Sequence, residues 1–153
     1  MSDLDRFVLD RVHLLALANR TDVVLHVDEG SCRLQVGDES LALRLDPRAL
    51  PVRTAALDVI CAAQSLRAAC GGEHATAFAE LLRATRPEGR AVVAEQDAAG
   101  TFGAEHQAAK QAGWVASPME AIPVQAPHPV RLFVAFKPAA DKNVASERGH
   151  GTH

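Results

Sequence analysis

Apolar and polar positions along this chain recur with changing periods, and the changes mark out its elements. Leu4, Phe7, Val8, Val12 and Leu15 share one side at helical spacing while Asp5, Arg6 and Asp10 stay outside, so a first helix capped by Ser2 or Asp3 is predicted to about Leu17. Asn19 or Asp22 marks its end. Asp22 to Val27 (DVVLHV) is then a continuous apolar run of strand length. Ser31 to Val36 (SCRLQV) and Ser40 to Leu45 (SLALRL) alternate with a period of two around Gly37-Asp38-Glu39, which predicts a hairpin.

Asp46-Pro47 ends the hairpin run, because proline fixes its own backbone and biases the residue before it away from helix. Leu50-Pro51-Val52 continues as an extended connection to Ala56–Ala63 (ALDVICAA), an unbroken apolar run expected of a strand covered on both faces. After Gly71-Gly72, the residues Ala75, Phe78, Ala79, Leu81 and Leu82 recur at helical spacing, which predicts a helix from Glu73 to Thr85. Glu73 stands at the positive end of its dipole. Pro87 and Gly89 are expected to close that helix before a second buried strand, Ala91 to Ala94 (AVVA). Strand, helix and strand at this spacing form a right-handed crossover between parallel strands.

The acidic turn before "ALPV", then "AALDVICAAQSL", then "ELLRATRPEGRAVVAE" resemble the post-cofactor half of class I S-adenosylmethionine-dependent methyltransferases. In that family an acidic residue and a Leu-Pro-aromatic turn precede a strand opening in Phe-Asp, and a later helix ends in Leu-Lys-Pro-Gly-Gly. Asp46, Leu50-Pro51, Leu57-Asp58 and Arg86-Pro87-Glu88-Gly89 occupy those places. Phe102 to Trp114 resembles the family's helix ending in Ala-Gly-Phe, and Val130 to Pro138 (VRLFVAFKP) its closing strand. The segment between them, with Pro118, Pro123, Pro127 and Pro129, matches the penultimate edge strand and its connection. Met119, Ile122 and Val124 are either edge packing or a partner surface. The resemblance implies a three-layer α/β domain with a Rossmann-like methyltransferase sheet over residues 1–138; the stretch 139–153, rich in glycine and charge, is expected to be a disordered tail.

The resemblance fails after the first strand. A cofactor half would continue with a glycine-rich loop, a helix, a second strand ending in an acidic residue, and another helix. About eighteen residues separate Asp28 from Asp46, whereas a single parallel crossover needs roughly a dozen and two are required. A β-hairpin is therefore predicted in place of the first cofactor-binding helices, which shortens the sheet. The glycines of such a loop let backbone approach a nucleotide-like cofactor and place a helix N-terminus beside it. Asp28-Glu29-Gly30-Ser31 offers one glycine.

Should a ligand bind nonetheless, the resemblance points to Asp28, Glu29 and Gly30 after the first strand, Asp46 near an adenine, and Gln64 just past the next parallel strand. The ribose-binding acid falls to Asp38 or Glu39, both in the predicted turn. The bland alternatives are a turn carboxylate at Asp46 binding local amides and a solvated amide at Gln64.

Net charge is −3, so no broad cationic surface recommends nucleic acid or an acidic membrane. Cys32, Cys61 and Cys70 form no paired framework, and buried packing is expected of those near the strand. With no leader or membrane-length apolar run in the sequence, the cytoplasm is the expected location. Cys70 and His74 have the spacing of some metal ligands but no second pair, so no metal is expected. His26 is expected to be a satisfied core residue, His106 to lie on a solvated helix face with Glu105, Gln107 and Lys110, and Trp114 to pack on the sheet. His150 and His153 fall in the tail.

Two function classes follow, with a third behind them. One is a non-catalytic methyltransferase-like protein that binds no cofactor and acts through association, as a homodimer or accessory subunit. The second is a small S-adenosylmethionine-dependent methyltransferase whose pocket a partner chain completes. The third is a carrier of a small ligand in the vacated pocket.

Overall fold

The computed structural model describes residues 2–28, 31–41 and 45–139, and one mixed sheet runs through them. In chain order the elements are helix α1 (Asp3–Ala16), strands β1 (Val23–Asp28), β2 (Ser31–Val36), β3 (Glu39–Leu41) and β4 (Leu57–Ala63), and helices α2 (Leu66–Ala69) and α3 (His74–Ala84). Strand β5 (Thr85–Gln96), helix α4 (Phe102–Ala112) and strands β6 (Val115–Ala116), β7 (Glu120–Ile122) and β8 (Val130–Phe136) complete it. The strand order is β3-β2-β1-β4-β5-β8-β6, with β7 also paired to β8. β1, β4 and β5 run parallel, while the hairpin strands and β8 run antiparallel to their neighbours.

Helices cover both faces, which gives three layers. On one face Val8, Val12 and Ala16 of α1 pack on Val24, Val59, Cys61, Val92 and Ala94. On the other, Phe78 and Leu81 of α3 and Phe102 and Ala109 of α4 pack with Leu25, Ile60, Val93 and Phe133. Alternate residues of β4 and β5 serve opposite faces, which is why both read as unbroken apolar runs.

Ser2 caps α1, its hydroxyl accepting from the Asp5 amide at 3.1 Å. Phe7 departs from the expected inner face: it precedes Val8 by one residue, about 100° round the helix, and its side chain lies toward solvent. The hairpin forms as predicted through Leu41, with Leu34 opposite Leu41 and Val36 opposite Glu39. The remainder of its second arm falls on 42–44, outside the described residues, as does the tail expectation for 140–153.

The second crossover strand starts earlier than expected. Pro87 and Gly89 do not close the helix: Thr85 ends it, donating its hydroxyl to the Leu81 carbonyl at 2.7 Å, and β5 begins at that same residue. Register between β4 and β5 then jumps from Leu57–Thr85 to Val59–Arg90, so Arg86–Gly89 form a bulge, with Glu88 at φ 67°. A proline without an amide hydrogen is tolerated there. A Cβ on Gly89 would stand 2.9 Å from the carbonyl oxygens of both Arg86 and Asp58. Gly89→Ala is therefore expected to cost about 1–3 kcal/mol in urea unfolding, since backbone cannot step aside as a flexible side chain does. Gly103→Ala, with nothing within 4 Å inside α4, is the control and should be neutral or mildly stabilising.

Trp114 packs as expected, its indole nitrogen donating to the Phe78 carbonyl at 3.1 Å. At the far margin β6 and β7 pair with successive parts of β8, and Pro123 follows β7 directly. Among the described residues no helix is long and apolar enough to cross a membrane.

Candidate functional site at the ends of the parallel strands

Open α/β sheets bind ligands beyond the carboxyl ends of their parallel strands. Here that edge is formed by Asp28, opposite Ala63, and by Ala63, opposite Ala94, with Gln64, Glu95 and Gln96 just beyond.

Three of the residues expected to bind a cofactor, Asp28, Asp46 and Gln64, are engaged with other side chains. Asp28 is ion-paired with Arg33 at 3.6 Å. Glu29 and Gly30 lie outside the described residues. Asp46 accepts from the Arg48 amide at 2.8 Å and from its Nε at 3.0 Å, and Arg48 also bonds Glu73. Hydrogen bonds from the Arg48 side chain, then from its backbone, hold the Asp46 carboxyl below its ordinary range. Gln64 stands at φ 59° and donates its amide to Asp5 Oδ1 at 2.8 Å while accepting from Gln96 at 3.2 Å. Asp28, Asp46 and Gln64 thus belong to three separate networks.

The fit to S-adenosylmethionine follows from the register of the hairpin. Asp28 pairs with Ser31 in antiparallel register, so β2 returns along β1 where the family's order has a helix. Among the described residues no helix follows β1 directly, so the chain offers no N-terminus there in the family's order. Among the described residues the donor set does not fit this cofactor in the family's manner.

The same edge holds a buried group the sequence reading missed. Glu95 turns its side chain toward the α3–α4 layer, where it meets Glu105 of α4; Glu105 is 0 % exposed. Glu105 bonds Arg67 of α2 and lies 3.0 Å from Nε2 of His74. Burial pushes the Glu105 carboxyl up, but hydrogen bonds with His74, Glu95 and Arg67 together outweigh it and hold the group below its usual range. Burial, then the hydrogen bond and charge of Glu105, lift Glu95 far above it. Burial beside a charged, paired carboxylate thus favours the neutral form of Glu95, and the cluster brings β5 against side chains of three helices. His74, Glu95 and Glu105 are close enough to share a cation. The Arg67 guanidinium already occupies that charge.

Glu105 and His106 were expected on a solvated face, and both are buried. Phe102 and Ala109, seven residues apart, are on the inner side of α4, and Glu105 and His106 fall between them on the same face. That spacing was the available signal. His106 binds the Ser117 carbonyl at 2.7 Å and sets its ring edge against Phe133. Cys70 and His74 do not act as a pair: the Cys70 thiol is buried and bonds the Arg67 carbonyl.

No family model matches the chain, and no curated protein matches it at a significant level. Solved structures do match. The (4+2)-cyclase SpnF superposes with a TM-score of 0.55 at 16% identity, over 64% of this chain and 56% of that one. A SAM-dependent methyltransferase from Methanosarcina mazei gives 0.49 at 7% identity, over 61% and 65%. A TehB-like SAM-dependent methyltransferase from Corynebacterium glutamicum gives 0.46 at 21% identity, over 60% and 53%. The chain spans about half to two thirds of the length of these proteins. Likeness at such identity establishes fold and not chemistry. The chain has a Rossmann-like α/β fold, with an antiparallel hairpin strand following β1 where a parallel crossover would otherwise stand.

Proposed function

We propose that this protein is a non-catalytic, methyltransferase-like protein that acts through association, foremost with a second copy of itself. The observation that carries this reading is the pairing of Asp28 with Ser31, which commits the backbone after β1 to a hairpin. α1 offers the surface. Its outer side carries Phe7 and Leu14, which are 43 and 63 % exposed, and Asp10 and Arg11 line a shallow groove with them. Two such helices packed antiparallel about an axis between residues 10 and 11 set Phe7 of one copy on Leu14 of the other and Asp10 beside Arg11. A two-fold interface requires this self-complementarity.

Sedimentation velocity and calorimetry test the reading together. The wild-type chain is expected to sediment as a dimer, Leu14→Asp as a folded monomer, and neither to take up S-adenosylmethionine. Micromolar binding by the wild-type chain overturns the non-catalytic reading. Binding that disappears in Leu14→Asp and weakens in Asp46→Ala would instead identify a small methyltransferase whose pocket is completed across the dimer.

A further inference from the structure

The face covered by α1 holds a second group of titratable side chains, opposite the carboxylate pair. His13 comes from α1, His26 from β1, and Cys61 from β4, directly beside His26 in the parallel register. One ligand atom of each lies within 4.8 Å of the other two. The two imidazoles meet edge to face, with centroids 5.2 Å apart. His26 is 5 % exposed. Nδ1 of His26 and Nε2 of His13 are buried and have no hydrogen-bond partner among the described residues. Unpaired buried nitrogens are costly, so their persistence calls for an occupant.

The tautomer of His26 is fixed by its neighbour. The Gln35 amide nitrogen donates to the Gly37 carbonyl at 3.1 Å, which turns its oxygen toward Nε2 of His26 at 2.7 Å. Nε2 therefore carries the proton and Nδ1 the lone pair. A hydrogen bond of this kind behind a ligating imidazole orients the ring and raises its basicity. All three side chains border a cavity of about 350 Å³ that passes the exposed Asn19, Arg20 and Asp38, which gives an ion a way in. Arg33 lines it too, with its charge offset by Asp28.

We propose that His13, His26 and Cys61 form a zinc site, with two imidazoles and a thiolate as ligands and a fourth position open to the cavity. Zinc bonds of 2.0–2.3 Å ask for donors roughly 3.3–3.6 Å apart in a tetrahedral site, within reach of small rotations of these side chains. The ion displaces the thiol proton to solvent as the zinc–sulfur bond forms. Three protein ligands with one open position is the pattern of sites that bind water or a substrate, whereas closed four-ligand sites are structural. No methionine stands among the cavity-lining residues to supply the axial thioether of a copper site.

The test is titration of the chelator-stripped full chain with zinc, and with cobalt(II) as a spectroscopic probe. One ion per chain is expected, with a thiolate-to-cobalt charge-transfer band and the visible absorption of four-coordinate cobalt. Cys61→Ser should abolish the charge-transfer band, while Cys32→Ser and Cys70→Ser keep it. Gln35→Leu should weaken zinc binding about 10–100-fold, as loss of an orienting partner does, and His13→Ala more than that. Should Cys61→Ser fail to fold, His13→Ala carries the decision, since its ring sits at the flank of α1. Absence of uptake overturns the proposal, as does binding that survives His13→Ala or is lost in His150→Ala/His153→Ala.

Discussion

Glu105→Ala is expected to destabilise the chain by about 3–5 kcal/mol, read as a lower urea midpoint at unchanged slope. The carboxylate is wholly enclosed, and its two oxygens answer Arg67 and His74 while Glu95 lies close beside it. Truncation leaves those three groups without their common acceptor and opens a void where α4 meets β5. Arg67 is one third exposed and can turn to water, which places the loss near the lower end of the range. Glu105→Gln keeps the shape and loses the charge, so about 1–3 kcal/mol is expected of it. A loss below about 1 kcal/mol in the alanine variant would mean that the network behaves as an ordinary solvated ion pair.

Glu95→Gln should change the pH dependence of stability more than its neutral-pH value. In the unfolded chain Glu95 titrates at its ordinary 4.5, and in the folded chain at about 9. Between those limits the folded state holds a proton that the unfolded state has released. Stability from this group is thus complete below 4.5 and is lost as pH rises through 9, at up to about 1.4 kcal/mol per pH unit. Glu105, whose folded value is depressed, contributes with the opposite sign and fails only on the acid side. The amide cannot ionise, so Glu95→Gln should melt above wild type at about pH 8 and close to it at about pH 5. Parallel melting curves across that interval would contradict the protonated state assigned to Glu95.

Much of this architecture was legible in local pattern. The hairpin followed from a change of period to two around Gly37-Asp38, the buried strands from unbroken apolar runs, and the shortened cofactor half from counting residues between Asp28 and Asp46. Those inferences needed only near neighbours in the chain. What was not legible depended on distant ones. Helical spacing from Phe102 to Ala109 turns Glu105 inward, but its partners Arg67, His74 and Glu95 arrive from three other elements, and the start of β5 at Thr85 depends on a bulge opposite Asp58 that no local preference announces. His13, His26 and Cys61 have no motif spacing at all. They meet because α1 crosses the face on which β1 and β4 place alternate residues.

The margins of the sheet restrict how this chain meets others. On one side it ends in the three described residues of β3, carrying Glu39 and Ser40; on the other, the edge is divided between two short strands with Pro118 between them and Pro123 following. Short, charged or proline-interrupted margins resist the backbone-to-backbone stacking that leads to fibrils.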